Sequence, residues 1–354
     1  MSKSIHYNGL TEIRGVAALI VVVSHIDQMS HLFGFPHIQI YSTGIAGLAV
    51  TTFFTLSGFL ITRLLVIEKR MNTVVSIKKF YMRRILRIWP AYYLTIAISL
   101  ILLVVGFYDR MEILNLAGGL LTFSLFLPNL GLVLGLALPG TSPLWSVGVE
   151  EQFYLIWPWI IKWFDNLILP ILLMVGLYLV LKIAVYIIDP NGGLYALIYL
   201  TQFDSMCIGA VLGLMVESQQ QLRSIVFSKM SQVLVMLVLI LPFITTFKFF
   251  AGLEVEIYSI ASAVWIINSA HNNSSFISIK SKVFNFLGQI SYGLYVYHFV
   301  IIYLLSAYFK LENMILNYAA VLGVSILLAY LSYRYFEMRV LRLKRNFVVV
   351  NSNG

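Results

Sequence analysis

Residues 11–26 read TEIRGVAALIVVVSHI, an apolar run that carries Arg14 near one end and His25 near the other. Eleven positions separate the two residues, which is close to three turns of a helix at about 3.6 residues per turn. They therefore share nearly the same helix face, about 16 Å apart along the axis. Because ionisable side chains are costly in an apolar helix, both are candidates for a functional site. The alternative is that Arg14 anchors the helix at the membrane surface and His25 ends it.

The composition of the chain places this helix in a membrane. Of the 354 residues, 60% are hydrophobic and only 11% are charged, with a mean hydropathy of +0.89. A soluble globular domain needs a more polar surface than this. Apolar runs close to the roughly 20 residues that cross a bilayer recur along the chain, and each must be helical because lipid offers backbone groups no partner. We therefore predict an all-α, polytopic integral-membrane helical bundle.

About ten transmembrane helices are predicted, and the basic residues orient them. Between 63 and 87 the sequence contains many Lys and Arg residues but a single acid, Glu68. The tail after the last span is also basic. By the positive-inside tendency both segments lie in the cytoplasm, so an even number of spans puts both termini there. The predicted spans lie near 10–27, 44–63, 83–106, 145–163, 168–188, 195–216, 230–248, 254–270, 284–308 and 315–336.

The segment 109–144 is apolar but is interrupted by Gly and Pro. A single crossing there would invert every later loop. We predict a re-entrant or interfacial segment on the outer side, packed against protein, because irregular backbone is tolerated only away from lipid. Two short spans are the alternative. The spacings Gly131 to Gly135 and Gly209 to Gly213 fit close helix packing.

The chain is predicted to be one integral-membrane domain, 1–354. Its spans fall within about 10–336, a basic cytoplasmic tail follows at 338–354, and no soluble domain is appended. The first helix is interpreted as a retained span, since the start has little basic charge and no small-residue cleavage site. A lone cysteine, Cys207, excludes an intramolecular disulfide. The histidines show no ligand spacing, so no metal is expected.

A second cluster of polar residues is basic. Arg87 follows Arg83 and Arg84 by four and three residues in RRILR, at the start of a span, and the three are expected to share one face. Cations at a helix N-terminus oppose its dipole unless an anion lies between them, and this arrangement suits phosphate. A plain positive-inside anchor is the alternative.

A third cluster is acidic. Glu150 and Glu151 enter a span at the same predicted membrane depth as His25, in LWSVGVEEQFYLIWP, beside Trp145 and Ser146. A carboxylate that faces a histidine can orient the imidazole as a general base. Capping of the helix start is the alternative.

Other polar residues are weaker candidates. Tyr292, Tyr295 and His298 in SYGLYVYHF fit either a channel wall or an aromatic belt with a satisfied histidine. Ser57 in FFTLSGFLIT lacks the context of a nucleophile elbow, so it is interpreted as a packing residue beside Gly58.

Taken together, these motifs resemble the acyltransferase 3 family of multi-span enzymes that modify surface sugars. The resemblance runs from about Leu10 to Arg339, and the motifs that carry it are LTEIRGVAALIVVVSH, FFTLSGFLIT, RRILRIWPAYYL, LWSVGVEEQFYLIWP, FDSMCIGA, ISYGLYVYH and SYRYFEMR. The chain departs from the family pattern in having Glu12 where Asp is common and VGVEE where LSVEE is usual. Neither departure removes a proposed catalytic group.

The resemblance implies transfer of an acyl group, most often acetyl, from cytoplasmic coenzyme A to a hydroxyl of a glycan on the outer side. The family's arginine and histidine, eleven positions apart on the first helix, correspond to Arg14 and His25. Its paired arginines correspond to Arg84 and Arg87. Its serine followed four positions later by glutamate corresponds to Ser146 and Glu150.

The residues and the resemblance support one mechanistic hypothesis. His25 removes a proton from the sugar hydroxyl, and Glu150 or Glu151 orients it. Direct transfer and an acylated His25 both stay open. Phosphate binding is assigned to Arg14, Arg83, Arg84 and Arg87, and substrate contacts are assigned to Ser146, Trp145, Tyr292 and His298.

The expected partners follow from this hypothesis. They are acetyl-CoA or another acyl-CoA, membrane lipids, and a lipid-linked or surface glycan such as lipopolysaccharide O-antigen, capsule or exopolysaccharide. No nucleic acid is expected, and the oligomeric state cannot be read from the sequence. The resemblance places the chain in a bacterial inner membrane. A glycolipid or polysaccharide transporter or flippase, with buried charges as alternating gates, is the rival class.

Overall fold

A computed structural model describes Tyr7 and residues 9–37, 44–106, 112–245, 248–309 and 311–347. These residues form helices and turns without a β-strand, so the all-α prediction is confirmed for the described part of the chain. The helices are α1 (Leu10–Gln28), α2 (Gly44–Asn72), α3 (Ile77–Val104), α4 (Ile113–Ser124), α5 (Pro128–Val133), α6 (Leu144–Trp163), α7 (Ile168–Ile188), α8 (Gly193–Thr201), α9 (Phe203–Ser218), α10 (Gln220–Phe227), α11 (Lys229–Ile240), α12 (Glu254–His271), α13 (Lys282–Gln289), α14 (Ser291–Tyr308), α15 (Met314–Ser332) and α16 (Met338–Leu343).

Several of these helices are long and apolar enough to cross a membrane. Seven candidate spans are found in the described residues, and an eighth is α10 with α11 if that pair, bent by 59°, counts as one. The helices α1 and α6 are not among them. Each carries charged residues, Glu12, Arg14 and Asp27 in α1 and Glu150 with Glu151 in α6, which lower its mean hydropathy. The seven spans are Gly44–Asn72, Ile77–Val104, Ile168–Ile188, Gly193–Ser218, Phe250–His271, Ser291–Tyr308 and Met314–Leu343.

Two glycines let α2 and α9 cross at backbone contact. A Cβ on Gly58 would collide with the backbone of Met206, and a Cβ on Gly209 would collide with the backbone of Thr55. The next small residue along α9, Gly213, lies against the ring of Phe59. The predicted packing role of Gly209 and Gly213 is therefore confirmed, and the contact fixes the height of α2 in the bundle.

The start of α1 is fixed in the same way by α13. A Cβ on Gly15 would collide with the backbone of Phe284, and one on Gly288 would collide with the backbone of Thr11. Asn285 also donates a hydrogen bond to the Glu12 carboxylate at 3.0 Å. Arg14 lies between these contacts, so its backbone has little freedom to move.

The segment 109–144, of which 109–111 lie outside the described residues, forms two short helices. The longer, α4, has 12 residues, which span about 18 Å at 1.5 Å per residue, against a hydrocarbon core of about 30 Å. Neither short helix can cross alone, which favours the re-entrant prediction over two short spans. Gln152 of α6 holds the bend by donating to the Phe126 carbonyl and the Asn129 side chain, both at 2.8 Å. Gly131 packs on Thr122, but Gly135 has no close neighbour.

The predicted basic residues collect at one end of the bundle. Lys69, late in α2, donates to the carbonyls of Ile161 at 3.0 Å and Phe164 at 2.9 Å, and pairs with Asp165 at 2.9 Å. The 3₁₀ turn Lys344–Phe347 packs against α3. We call the region where the end of α2, the start of α3, the end of α6 and this turn meet the basic end. The predicted tail continues to 354, and residues 348–354 lie outside the described part.

Candidate active site

A cavity of about 100 Å³ lies between α1, α2, α3, α6 and α14. It reaches from the arginines near the basic end to the serine and tyrosine residues of α6 and α14. Of the predicted site residues, those that line it are Arg14, Arg84, Arg87, Ser146, Glu150 and Tyr292. The clusters that lie far apart in the sequence are thus brought to one place.

Three guanidinium groups face this cavity. Arg84 and Arg87 lie three residues apart on α3 and therefore on one face, and Arg14 approaches from α1. Within the described residues, none of the three has an ion pair or a hydrogen bond. Arg84 instead lies over the ring of Tyr154, 5.2 Å from its centroid. Such a group of cations without partners is suited to a polyanion, since guanidinium groups bind phosphate through paired hydrogen bonds.

Arg83 does not join this group. Its Nη2 donates to Glu68 at 3.0 Å and its Nη1 donates to the carbonyl of Phe347 at 2.9 Å. Arg83 and Arg84 lie about 100° apart around the helix with Arg87 between them, and Arg83 is turned from the cavity by its bonds to Glu68 and Phe347. The prediction that all three α3 arginines share one face is therefore wrong for Arg83, which holds α2 and the C-terminal turn at the rim.

The carboxylate of Glu150 is held by two hydroxyl groups. Ser57 Oγ on α2 donates to Glu150 Oε1 at 2.6 Å, and Tyr154 OH, one turn along α6, donates to Oε2 at 3.0 Å. Ser57 and Tyr154 both line the cavity. The interpretation of Ser57 as a packing residue is thus corrected, because its hydroxyl contacts the acid that faces the arginines.

Glu151 points away from the cavity. Trp89 Nε1 donates to Glu151 Oε2 at 2.9 Å, and Oε1 is buried without a hydrogen-bond partner among the described residues. Adjacent positions on a helix differ by about 100°, so two neighbouring glutamates cannot both face one site. Of the two glutamates predicted from the sequence, Glu150 therefore faces the cavity and Glu151 faces Trp89.

His25 is paired with a second histidine. Its Nδ1 lies 2.8 Å from His298 Nε2, and His298 Nδ1 lies 2.6 Å from the carbonyl oxygen of Tyr295. The two rings are nearly parallel, at 5°. His298 is fully buried, whereas His25 is half-buried. The predicted contact between His25 and Glu150 or Glu151 is wrong, since each carboxylate has the other partners described above.

The hydrogen bonds define which nitrogen of each ring carries a proton. A carbonyl oxygen can only accept, so His298 Nδ1 must donate to Tyr295. In the neutral ring His298 Nε2 is then an acceptor, and His25 Nδ1 must be the donor to it. This leaves the lone pair on His25 Nε2. That nitrogen can take a proton, and the buried relay behind it sets its tautomer.

Tyr295 joins the histidine pair to the cavity. Its hydroxyl lies 2.7 Å from Ser146 Oγ, and both residues line the cavity, while its carbonyl holds His298. Neither His25 nor His298 lines the cavity itself. The histidine pair is thus separated from the cavity by a single residue.

The remaining predicted substrate contacts are less direct. Tyr292 lines the cavity, but its hydroxyl donates to the Ile88 carbonyl at 2.6 Å. Trp145 lies behind the wall, with its ring at 76° to that of Phe54. Trp145 and Tyr292 therefore shape the wall, and Ser146 is better placed to contact a bound group.

Residues 7–334 match a family model described as an acyltransferase domain. The match covers nearly the whole chain, which therefore belongs to this acyltransferase family. The resemblance predicted from the sequence motifs is confirmed.

Curated relatives carry related names. The chain is 28% identical over 357 residues to the peptidoglycan O-acetyltransferase OatA of Listeria monocytogenes, covering 92% of the chain and 54% of the relative. It is 26% identical to the putative peptidoglycan O-acetyltransferase YrhL of Bacillus subtilis, covering 93% and 54%, and 25% identical to the putative O-acetyltransferase SACOL0978 of Staphylococcus aureus, covering 93% and 56%. The chain thus spans about half the length of these relatives. Among solved structures, none matches the chain at a significant level.

Proposed function

We propose that this chain is a membrane O-acetyltransferase that moves an acetyl group from acetyl-CoA to a hydroxyl of a cell-envelope glycan. Membership of the acyltransferase family and the names of the relatives support the reaction class. The observation that carries the proposal is the cavity itself, in which three guanidinium groups, none with an ion pair among the described residues, face a held carboxylate, with an oriented histidine pair behind Tyr295.

The donor fits this arrangement through its phosphates. Acetyl-CoA supplies an activated thioester and several phosphate charges, and Arg14, Arg84 and Arg87 present the matching cations. A polyanion between them removes the repulsion that the three charges otherwise impose on each other. Glu150, held by Ser57 and Tyr154, lies beyond the arginines, where it keeps the anionic part of the donor at their end.

In this proposal His25 is the general base that removes the proton from the acceptor hydroxyl. Its Nε2 accepts the hydroxyl proton as the acceptor oxygen bonds to the acyl carbon, and returns that proton to the departing thiolate, so the step is balanced. His298 acts as a positioning residue, since its Nε2 keeps the proton of His25 on Nδ1. Because the relay ends on a carbonyl rather than a carboxylate, it orients His25 without adding a negative charge beside the thioester.

The membrane arrangement of the proposal has ten spans, adding α1, α6 and the bent α10–α11 pair to the seven apolar helices. The basic end then faces the cytoplasm with both termini, and the donor enters from that side. His25 lies about 22 Å beyond the start of α1 at 1.5 Å per residue, nearer the outer surface of a bacterial cytoplasmic membrane. Residues 1–354 act as one transmembrane acyltransferase unit in this proposal.

The acceptor is proposed as a glycan outside this membrane. The sequence analysis considered lipopolysaccharide, capsule and exopolysaccharide. Two of the relatives are named for peptidoglycan, so peptidoglycan joins the acceptors to be tested. Each of these glycans offers the sugar hydroxyl that the His25 chemistry requires.

The test compares envelope glycans from cells with the gene intact, deleted, or replaced by His25→Ala. Ester-linked acetyl is released from each glycan fraction by mild base and quantified by mass spectrometry, and membrane levels of the protein are matched by immunoblot. We expect the acetyl ester of one glycan to disappear in the deletion strain and in His25→Ala. The matched control is His31→Ala, an exposed histidine in the turn after α1 that should leave the ester unchanged. If the deletion strain keeps the acetyl esters on every glycan but no longer exports one of these glycans, the result would support a transporter instead.

A further inference from the structure

The C-terminal turn places a charged residue that the motifs do not include, Lys344, beside the start of α3, the helix that carries Arg84 and Arg87. Lys344 begins the turn Lys344–Phe347, beyond the residues 7–334 that match the family model. The turn packs on α3, and Arg83 donates to the carbonyl of Phe347 at 2.9 Å. Because Glu68 accepts from the other side of the same guanidinium at 3.0 Å, the turn is fixed over the start of α3.

Lys344 is half-buried, and the charges that act on it most strongly are those of arginines. Burial, and then the positive charges of Arg87, Arg84, Arg83 and Arg14 in that order, lower its pKa from 10.5 to about 7. Within the described residues Lys344 has no ion pair. A lysine held against four arginines without an acid of its own is unfavourable unless an anion lies between them.

The acids next to this cluster have other partners. Glu68 accepts from Arg83 and from the backbone NH of Ser76, and Glu337 accepts from Ser332 at 3.0 Å. They do not neutralise the charge that Lys344 adds. The charge of the cavity rim is therefore left for a ligand to balance.

We propose that Lys344 binds a phosphate group of the acyl-CoA donor, as a fourth cation beside Arg14, Arg84 and Arg87 that the C-terminal turn brings to the start of α3. This inference rests on the proposed donor. Arg83 acts through the turn, since it holds the Phe347 carbonyl and so keeps Lys344 in place.

The test measures acetyl-CoA affinity by calorimetry with the full chain in phosphatidylcholine nanodiscs. Lys344→Gln is expected to weaken binding about tenfold, which is the loss of one charge-assisted phosphate contact. Lys344→Arg keeps the charge and should restore the affinity. Arg342→Gln removes an exposed cation two residues earlier and is the matched control, with an expected change of less than about twofold.

The pH dependence separates a phosphate contact from a purely structural role. Lys344 must be charged to bind phosphate, so the affinity of the unaltered protein should fall by roughly fourfold between pH 6.5 and 8, through its pKa of about 7. The charged neighbours that face it are arginines, a residue type that is ordinarily charged well above this range. The fall should be absent in Lys344→Gln and in Lys344→Arg.

The outcomes distinguish this inference from the proposed function. If the unaltered protein does not bind acetyl-CoA, the proposed function fails. If it binds and Lys344→Gln binds equally well, only the role of Lys344 is overturned. An anionic lipid headgroup offers the same phosphate chemistry. If Lys344→Gln leaves acetyl-CoA affinity unchanged but loses phosphatidylglycerol from mixed-lipid nanodiscs, the site binds lipid and the inference is overturned.

Discussion

The pairing of His25 with His298 explains how an apolar helix can keep a histidine in a defined tautomer. A carboxylate partner would add a negative charge beside the imidazole, whereas the relay to the Tyr295 carbonyl fixes the tautomer of both rings without one and leaves the lone pair on His25 Nε2. The arginines at the cavity have the opposite character, since they are cationic side chains without an ion pair or hydrogen bond in the described part of the chain. The site thus combines a neutral base with a charged anchor.

Replacing His298 should lower turnover without weakening donor binding. His298→Phe removes the acceptor for His25 Nδ1, so His25 loses its tautomer preference, and kcat should fall by about tenfold to a hundredfold, less than a charged triad partner contributes. The KM for acetyl-CoA should stay within about twofold, because the arginines are untouched. Steady-state kinetics on protein in nanodiscs provide the measurement.

His298→Gln is the conservative control, since its amide oxygen can still accept from His25 and part of kcat should return. A parallel loss of kcat and of thermal stability in both variants would mean that His298 only supports packing.

Replacing Arg84 should have the reverse effect. Arg84→Gln removes one of three guanidinium groups at the cavity, so the KM for acetyl-CoA should rise about tenfold while kcat changes little. The matched control is Arg342→Gln, which removes an equal charge from an exposed position. A loss confined to kcat would contradict phosphate binding by Arg84.

The site residues were only partly predictable from the sequence. Arg14 and His25 could be found because ionisable groups stand out in an apolar run. The partner of His25 could not be predicted. The sequence shows that a buried histidine needs a hydrogen bond, but not whether α6, with Glu150 and Glu151, or α14, with His298, supplies it. Tyr154, one turn after Glu150, could have been found from the i to i+4 spacing, whereas Ser57 resembled the many serines that pack in membrane helices.

Among the elements, α2 and α9 determine the position of the acid. Their glycine contact sets the height of Ser57, which is adjacent to Gly58 and holds Glu150. The apolar pattern predicted both helices well. It also predicted spans at 10–27 and 145–163, but α1 and α6 are not among the seven candidate spans, since charged residues, some of them site residues, lower their hydropathy.

A methyl group at this crossing should destabilise the protein. Gly209→Ala places a Cβ against the backbone of Thr55, which is less able to move away than a side chain. The free energy of unfolding should therefore fall by about 1–3 kcal/mol. Thermal unfolding in detergent is the measurement. Gly176→Ala on α7, where a Cβ meets nothing within 4 Å, is the control and should not destabilise. Equal effects of the two variants would contradict close packing of α2 on α9.

For the whole molecule, the proposed ten spans put the basic end in the cytoplasm and the turn between α7 and α8 outside. The composition and the positive-inside tendency were enough to predict a multi-span bundle. They could not fix the exact number of spans, because polar helices such as α1 resemble spans in length but not in hydropathy.

Cysteine labelling can test this orientation, because Cys207 is the only cysteine in the sequence and is buried. In a Cys207→Ala background, Asn191→Cys should react with a membrane-impermeant maleimide in intact cells. Ser274→Cys, in the exposed turn after α12, should react only after permeabilisation. Labelling of both positions from the same side would contradict the ten-span arrangement.

The most direct test of acetyl transfer uses membrane vesicles of both orientations supplied with radiolabelled acetyl-CoA. Vesicles that expose the cytoplasmic face should transfer label to a glycan as a base-labile ester, and vesicles of the opposite orientation should not. His25→Ala should abolish the transfer, while His31→Ala should retain it. Absence of labelled glycan from inside-out vesicles with intact protein, or undiminished transfer by His25→Ala, would contradict the proposed reaction or its base.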